Sequence, residues 1–149
     1  MANLSAAEER HLALVVSPHD EDHRDLIRIL RPAGWSVDSA STCREAIRSL
    51  EMETARVVIV ERDLPDGTWK TLLNQLIRMA CPPKVIVTSR MADERLWSEV
   101  LQFGGFDVLA QPFYAREVLR TVNSGSIRWY DEWRKASQEL SAGTCGASA

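Results

Sequence analysis

Four short apolar runs, at 12–16, 57–60, 85–87 and 106–110, restrict what this chain can become more than any other feature. Each is rich in Val, Ile or Leu and lacks the apolar–polar alternation of a strand with one wet face, so each reads as a strand covered on both sides. A weaker strand, WSVDSA from Trp35, follows the first intervening segment. Between the strands the spacing turns helical. Leu26, Ile27 and Leu30 mark one helix, Ala46, Ile47 and Leu50 a second, Trp69, Leu72, Leu73, Leu76 and Ile77 a third, and Leu96, Trp97, Val100 and Leu101 a fourth. A fifth begins near Tyr114. Thr42 and Glu45 have the spacing of a capping box, and Asp20 is placed to cap the first helix, with its acidic neighbours in a solvated first turn. Gly34 and Gly104 stand where helices should stop, although Pro32 comes a turn early for a clean ending.

Five strands alternating with five helices in about 125 residues specify a doubly wound α/β fold, because right-handed crossovers leave few other arrangements for a five-stranded parallel sheet. In such folds function sits where strands give way to loops at their carboxyl ends. Those places are Ser17 and Pro18, Glu61, Thr88 and Ser89, and Gln111.

With 149 residues, 45% of them hydrophobic, the chain can bury one sizeable core and is expected to form one domain. A net charge of -3 and a scattering of Lys and Arg along the sequence give no electrostatic footprint for nucleic acid. The run at 12–16 is too short for a signal peptide or a membrane span, so a cytoplasmic protein with no membrane partner is expected. Cys43, Cys81 and Cys145 are widely spaced, with no CxxC pair, and read as reduced structural thiols; no metal site is expected. His19, Asp20, Glu21, Asp22 and His23 superficially suggest a metal or acid/base cluster, but a helix start explains them.

The segments VVIVERDLPDG, PKVIVTS and GGFDVLAQPF resemble three landmarks of response-regulator receiver domains, in order and at the right separations, so the fold is expected to be flavodoxin-like, of the CheY kind. The resemblance covers roughly 12–122 and implies the following roles. The phosphoacceptor position, four residues before Pro65, is occupied by Glu61; the acidic pair that helps hold Mg²⁺ is replaced by Ser17 and Pro18. The switch hydroxyl corresponds to Thr88, the lysine to Gln111, and the aromatic switch position to Val108. Only Thr88 keeps the expected chemistry. Taken alone, Glu61 is also readable as a solvated acid at a strand end and Thr88 as an ordinary strand residue.

Phosphoryl transfer to a carboxylate needs positioning, a divalent cation and positive charge near the equatorial oxygens. Ser17 offers a neutral hydroxyl, Pro18 no ligand, and Gln111 no charge, leaving Glu61 alone at the site. The expected function is therefore a pseudo-receiver of a two-component phosphorelay: no enzyme and no cofactor, but a phosphorylation-independent module for a protein partner, a histidine kinase or another regulator. Two alternatives stay open. In one, Asp63 or Asp22 accepts the phosphoryl group, or Asp63 binds metal, in a rearranged Mg²⁺ site; in the other, the chain is a flavodoxin-like small-ligand protein, which the absence of a glycine-rich phosphate cradle argues against.

The expected organisation is an extension at 1–10, a receiver at 11–123, an extended C-terminal helix at 124–140 and a disordered tail at 141–149; no output domain is read after the receiver. From Ala115 small or apolar residues recur at Leu119, Val122, Ser126, Trp129, Trp133, Ala136 and Leu140, a heptad-like seam. Its second half has no sheet left to cover. Trp129, Tyr130 and Trp133, with Trp97 and Val108, then form an apolar interaction surface, and a homodimer through the fourth helix, fifth strand and fifth helix is expected. The competing expectation is a helix that breaks at 123–126, where Gly125 weakens it by about 1 kcal/mol, and folds back.

Overall fold

The computed structural model describes the backbone from residue 11 to 148 and side chains from 11 to 139. The expected extension at 1–10, the side chain of Leu140 and that of Cys145 lie outside the described residues. Strand β1 (Leu12–Val16) leads to helix α1 (Asp20–Leu30), a 3-10 turn (Arg31–Ala33) and β2 (Ser36–Ala40). Helix α2 (Cys43–Met52), β3 (Val57–Glu61), α3 (Trp69–Leu76), β4 (Lys84–Ser89), α4 (Glu94–Gln102), β5 (Asp107–Ala110) and α5 (Ala115–Ser148) follow. The loop between β3 and α3 carries a minimal antiparallel ladder, Asp63–Leu64 against Gly67–Thr68.

The main sheet is parallel throughout, in the order β2-β1-β3-β4-β5. Alternate residues of each strand feed opposite faces. Leu12, Leu14 and Val16 join α2, α3 and α4 in one core layer, while Ala13 and Val15 join α1 and α5 in the other. This double burial explains the unbroken apolar runs of β1, β3 and β4, whereas β5, expected to be covered on both sides, is an edge strand in which Leu109 alone is fully buried. The doubly wound fold is as expected.

Local chemistry sets the helix ends. Thr42 caps α2 by accepting from the Glu45 amide, but Glu45 reaches back to the amide of Ser41 rather than that of Thr42 itself. Pro32 sits inside the 3-10 turn that tightens the end of α1, and Gly34 closes that turn at φ 94°, a conformation L side chains rarely adopt. Asp20 does not cap α1: the cap position is His19, without a side-chain cap bond, and Asp20 is the first helical residue.

Helix α5 departs furthest from expectation. It runs unbroken through Gly125 and onward to Ser148, past the point where a tail was expected to begin. Gly125 is not a break but a crossing point: a Cβ there would lie 3.3 Å from Val57 Cγ2 and 3.6 Å from Lys84 Cβ, so the missing side chain lets the helix pass close under the sheet. Beyond it the helix still has something to cover. Trp129 is 0% exposed, with the Arg56 guanidinium 5.2 Å from its ring centre, and Arg56 donates to Ser126 Oγ at 3.1 Å. Lys84 pairs with Glu132 at 2.6 Å. Trp133 stacks on Trp129 and Tyr130, and both Tyr130 and Trp133 are half-buried. The expected exposed stripe of Trp129, Tyr130 and Trp133 is therefore corrected: Trp129 is core, and from Ser126 to Trp133 the seam packs within the chain.

Candidate functional site

The parallel sheet delivers Ser17, Glu61, Thr88 and Gln111 to one end, because each lies at or just past the carboxyl end of a neighbouring strand. Register places Glu61 beside Thr88 across β3 and β4. The Thr88 hydroxyl donates to Glu61 Oε2 at 3.1 Å, and Gln111 Nε2 donates to the same oxygen at 3.3 Å. Glu61 is only partly exposed. Burial pushes its carboxyl above its ordinary value of 4.5; the Thr88 bond opposes that shift and the nearby charge of Asp22 reinforces it.

Asp22 was expected in a solvated first turn of α1; instead it is 4% exposed and belongs to the site. Its Oδ2 accepts from the Ser17 hydroxyl at 2.7 Å, and its Oδ1 accepts from Gln111 Nε2 at 3.1 Å. Ser17 is fixed in turn by accepting from the His19 amide, while its carbonyl meets His23 Nε2 at 2.8 Å. The site thus holds two carboxylates rather than Glu61 alone. Buried polar groups are ordinarily hydrogen-bonded, and both oxygens of Asp22 are.

The remaining residues divide cleanly. Pro18 is exposed and joins none of these bonds. Asp63 is exposed and pairs with Arg62 at 3.1 Å, and its charge adds to that of Asp22 in raising the Glu61 carboxyl. Val108 is half-buried and packs on the α2–α4 core layer. Trp97 is 50% exposed on α4. Arg90, which sequence reasoning did not single out, donates from Nε to Gln111 Oε1 at 3.2 Å and lies 4.0 Å from Glu21. Nothing in its spacing marks it; the turn after β4 brings it over Gln111.

The donor set does not suit Mg²⁺. That ion takes oxygen ligands in tight octahedral geometry, whereas here the space between Asp22 and Glu61 is bridged by the amide hydrogens of Gln111, and both Asp22 oxygens already accept hydrogen bonds. Among the described residues no group of three or more His, Cys, Asp or Glu is arranged to hold a metal ion. Beside the cluster a shallow depression of about 330 Å³ is lined by Glu21, Asp22, Asp25, Arg90, Gln111 and Phe113. No described helix is long and apolar enough to cross a membrane.

The chain is 26% identical to the transcriptional regulatory protein DpiA of Escherichia coli K12, over 78% of this chain and 57% of that protein. It is 28% identical to the transcriptional regulatory protein GltR of Pseudomonas aeruginosa, over 87% of this chain and 59% of that protein. It therefore spans less than two thirds of the length of these curated relatives. Among solved structures, the signal receiver domain of a LuxO repressor protein from Vibrio parahaemolyticus superposes with a TM-score of 0.76 at 21% identity, covering 83% of this chain and 95% of that one. A CheY-like receiver domain protein from Methanospirillum hungatei gives 0.72 at 21% identity, over 83% and 99%. The profile of the response regulator receiver domain matches residues 13–123, and the chain belongs to that family.

Proposed function

We propose that this receiver domain works as a phosphorylation-independent interaction module of a two-component system. The observation that carries the reading is the Gln111 amide bridging Asp22 and Glu61, with Thr88 already drawn onto Glu61. A hydroxyl that would follow an incoming phosphoryl group is engaged by a resident carboxylate, and the place for a cation is taken by amide hydrogens. Glu61 carries one negative charge where a phosphoryl group carries about -1.5 to -2, so the hold on Thr88 is weaker than phosphorylation would give. No catalytic step is assigned to the chain, and its setting is the cytoplasm.

The partner in this reading is a histidine kinase or another regulator, and nucleic acid is not. The contact surface is the side formed by α4 and β5, where Trp97 and Leu101 remain exposed. Self-association through α4, β5 and α5 would have to rest on those residues, because Trp129 is folded inward. The phospho-accepting alternative has less to work with: Asp63 is exposed and paired with Arg62, and Asp22 is buried with both oxygens engaged. A small phosphate-bearing ligand finds acidic walls at the depression beside the site.

The test is incubation of the chain with acetyl phosphate or with beryllofluoride in the presence of Mg²⁺. Intact mass should show no adduct, and tryptophan fluorescence should show no Mg²⁺-dependent quenching. A stoichiometric phospho-adduct would overturn the reading, and the modified residue would identify the acceptor.

A further inference from the structure

Lys and Arg look scattered along the sequence, but helix α5 gathers five of them on one exposed face: Arg116, Arg120, Arg128, Arg134 and Lys135. At about 100° and 1.5 Å per residue, Arg116, Arg120, Ile127 and Arg134 fall within roughly 40° of arc, and the stripe runs about 28 Å from Arg116 to Lys135. Arg128 and Lys135 flank it on one side. Asp131 lies within the stripe, and Glu117 stands on the flank at the same angle as Lys135. None of the five cations forms an ion pair among the described residues, whereas Lys70 and Lys84 elsewhere on the surface are paired with Glu99 and Glu132. The charge is left unneutralised in a chain whose net charge is -3.

At the middle of the stripe stands Ile127, 65% exposed, seven residues after Arg120 and seven before Arg134. An apolar centre inside a charged rim is the composition of a protein interface. We propose that the outer face of α5 from Arg116 to Lys135 is a docking surface for an acidic amphipathic helix of a protein partner. Opposite charge along two helices steers encounter and fixes register, and an apolar residue facing Ile127 supplies the contact at the centre.

The other occupants fit less well. Two copies of this chain paired symmetrically would set stripe against stripe, positive on positive. A lipid surface needs a broad apolar face, and this stripe has Ile127 alone. A polyanion such as DNA meets a chain that is acidic overall. The surface is separate from the Glu61 cluster, and the proposal holds whether or not that cluster accepts a phosphoryl group.

The test places a photocrosslinking amino acid at Ile127 in the full chain, in the cells that make it, and identifies the crosslinked peptide by mass spectrometry. The expected result is one dominant protein adduct through a net-acidic segment with helical apolar spacing. Its yield should fall about tenfold in R120E/R134E, as two attractions become repulsions. Circular dichroism confirms that this double variant is folded, and R116E/K135E repeats the test if it is not. Absence of an adduct overturns the proposal. So does an adduct to nucleic acid, to lipid or to a second copy, or one that charge reversal leaves unchanged.

Discussion

Glu61 carries opposing demands: its carboxylate accepts from Thr88 and Gln111, yet it is partly buried and faces Asp22. Because its folded-state pKa is raised, the native state holds the proton to higher pH than the unfolded chain does, so ionising Glu61 lowers stability as pH rises past its ordinary value. Glu61→Gln should therefore raise the thermal midpoint at pH 7 relative to the parent, and the advantage should shrink as pH falls towards 4.5; an advantage that grows on acidification would reverse the assignment. Glu61→Asp alone should not yield a phospho-adduct by intact mass, since Gln111 still bridges the acids. Restoration should need acids at positions 17 and 18 and Lys at 111. Of this site, Ser17, Glu61, Thr88 and Gln111 were legible, because strand ends can be read from sequence and four positions could be matched to family landmarks. Asp22 was not. It lies five residues past Ser17, where acids ordinarily complement a helix dipole in solvent, and only the tight turn into α1 aims it inward.

The strands and the first four helices could be read because their burial repeats at the period of the element, and tertiary structure reinforces the local pattern. Helix α5 could be read in phase but not in partner. Its seam has the spacing of an interhelical contact, yet what it meets is Arg56 and the starts of β3 and β4, groups remote in sequence whose convergence no local pattern announces. Gly125 misleads for the same reason: its helix propensity argues for a break of about 1 kcal/mol, while the close crossing over Val57 outweighs it. Gly125→Leu should therefore destabilise by about 1–3 kcal/mol despite Leu being the better helix former, because the side chain has no room. An increase in thermal midpoint for this variant would mean that the crossing is not tight. Trp129→Ala should cost about 3–5 kcal/mol, as expected for a fully buried aromatic, and Trp133→Ala less, since Trp133 is half-exposed.

At the scale of the whole molecule, the question is whether residues past Val122 are an appendage or part of the receiver. The family profile ends at 123, which by itself favours an appendage. The packing argues otherwise. Ser126 and Trp129 are buried, Arg56 is enclosed between Ser126, Trp129 and Tyr130, and Lys84 pairs with Glu132. A chain ending at Val122 would lose all of these at once and leave Arg56 and the starts of β3 and β4 uncovered. Domains of this kind have a net stability of about 5–15 kcal/mol, so losing Trp129 alone, at about 3–5 kcal/mol, removes a large share of it. The truncated chain should melt well below the full chain and aggregate on warming. Sedimentation should find the full chain monomeric at micromolar concentration, since the seam that would drive association is already filled from within. Equal thermal midpoints for the two chains, with the full chain dimeric and the shorter one monomeric, would show instead that α5 beyond Val122 is an assembly device and that its contacts with Arg56 contribute little.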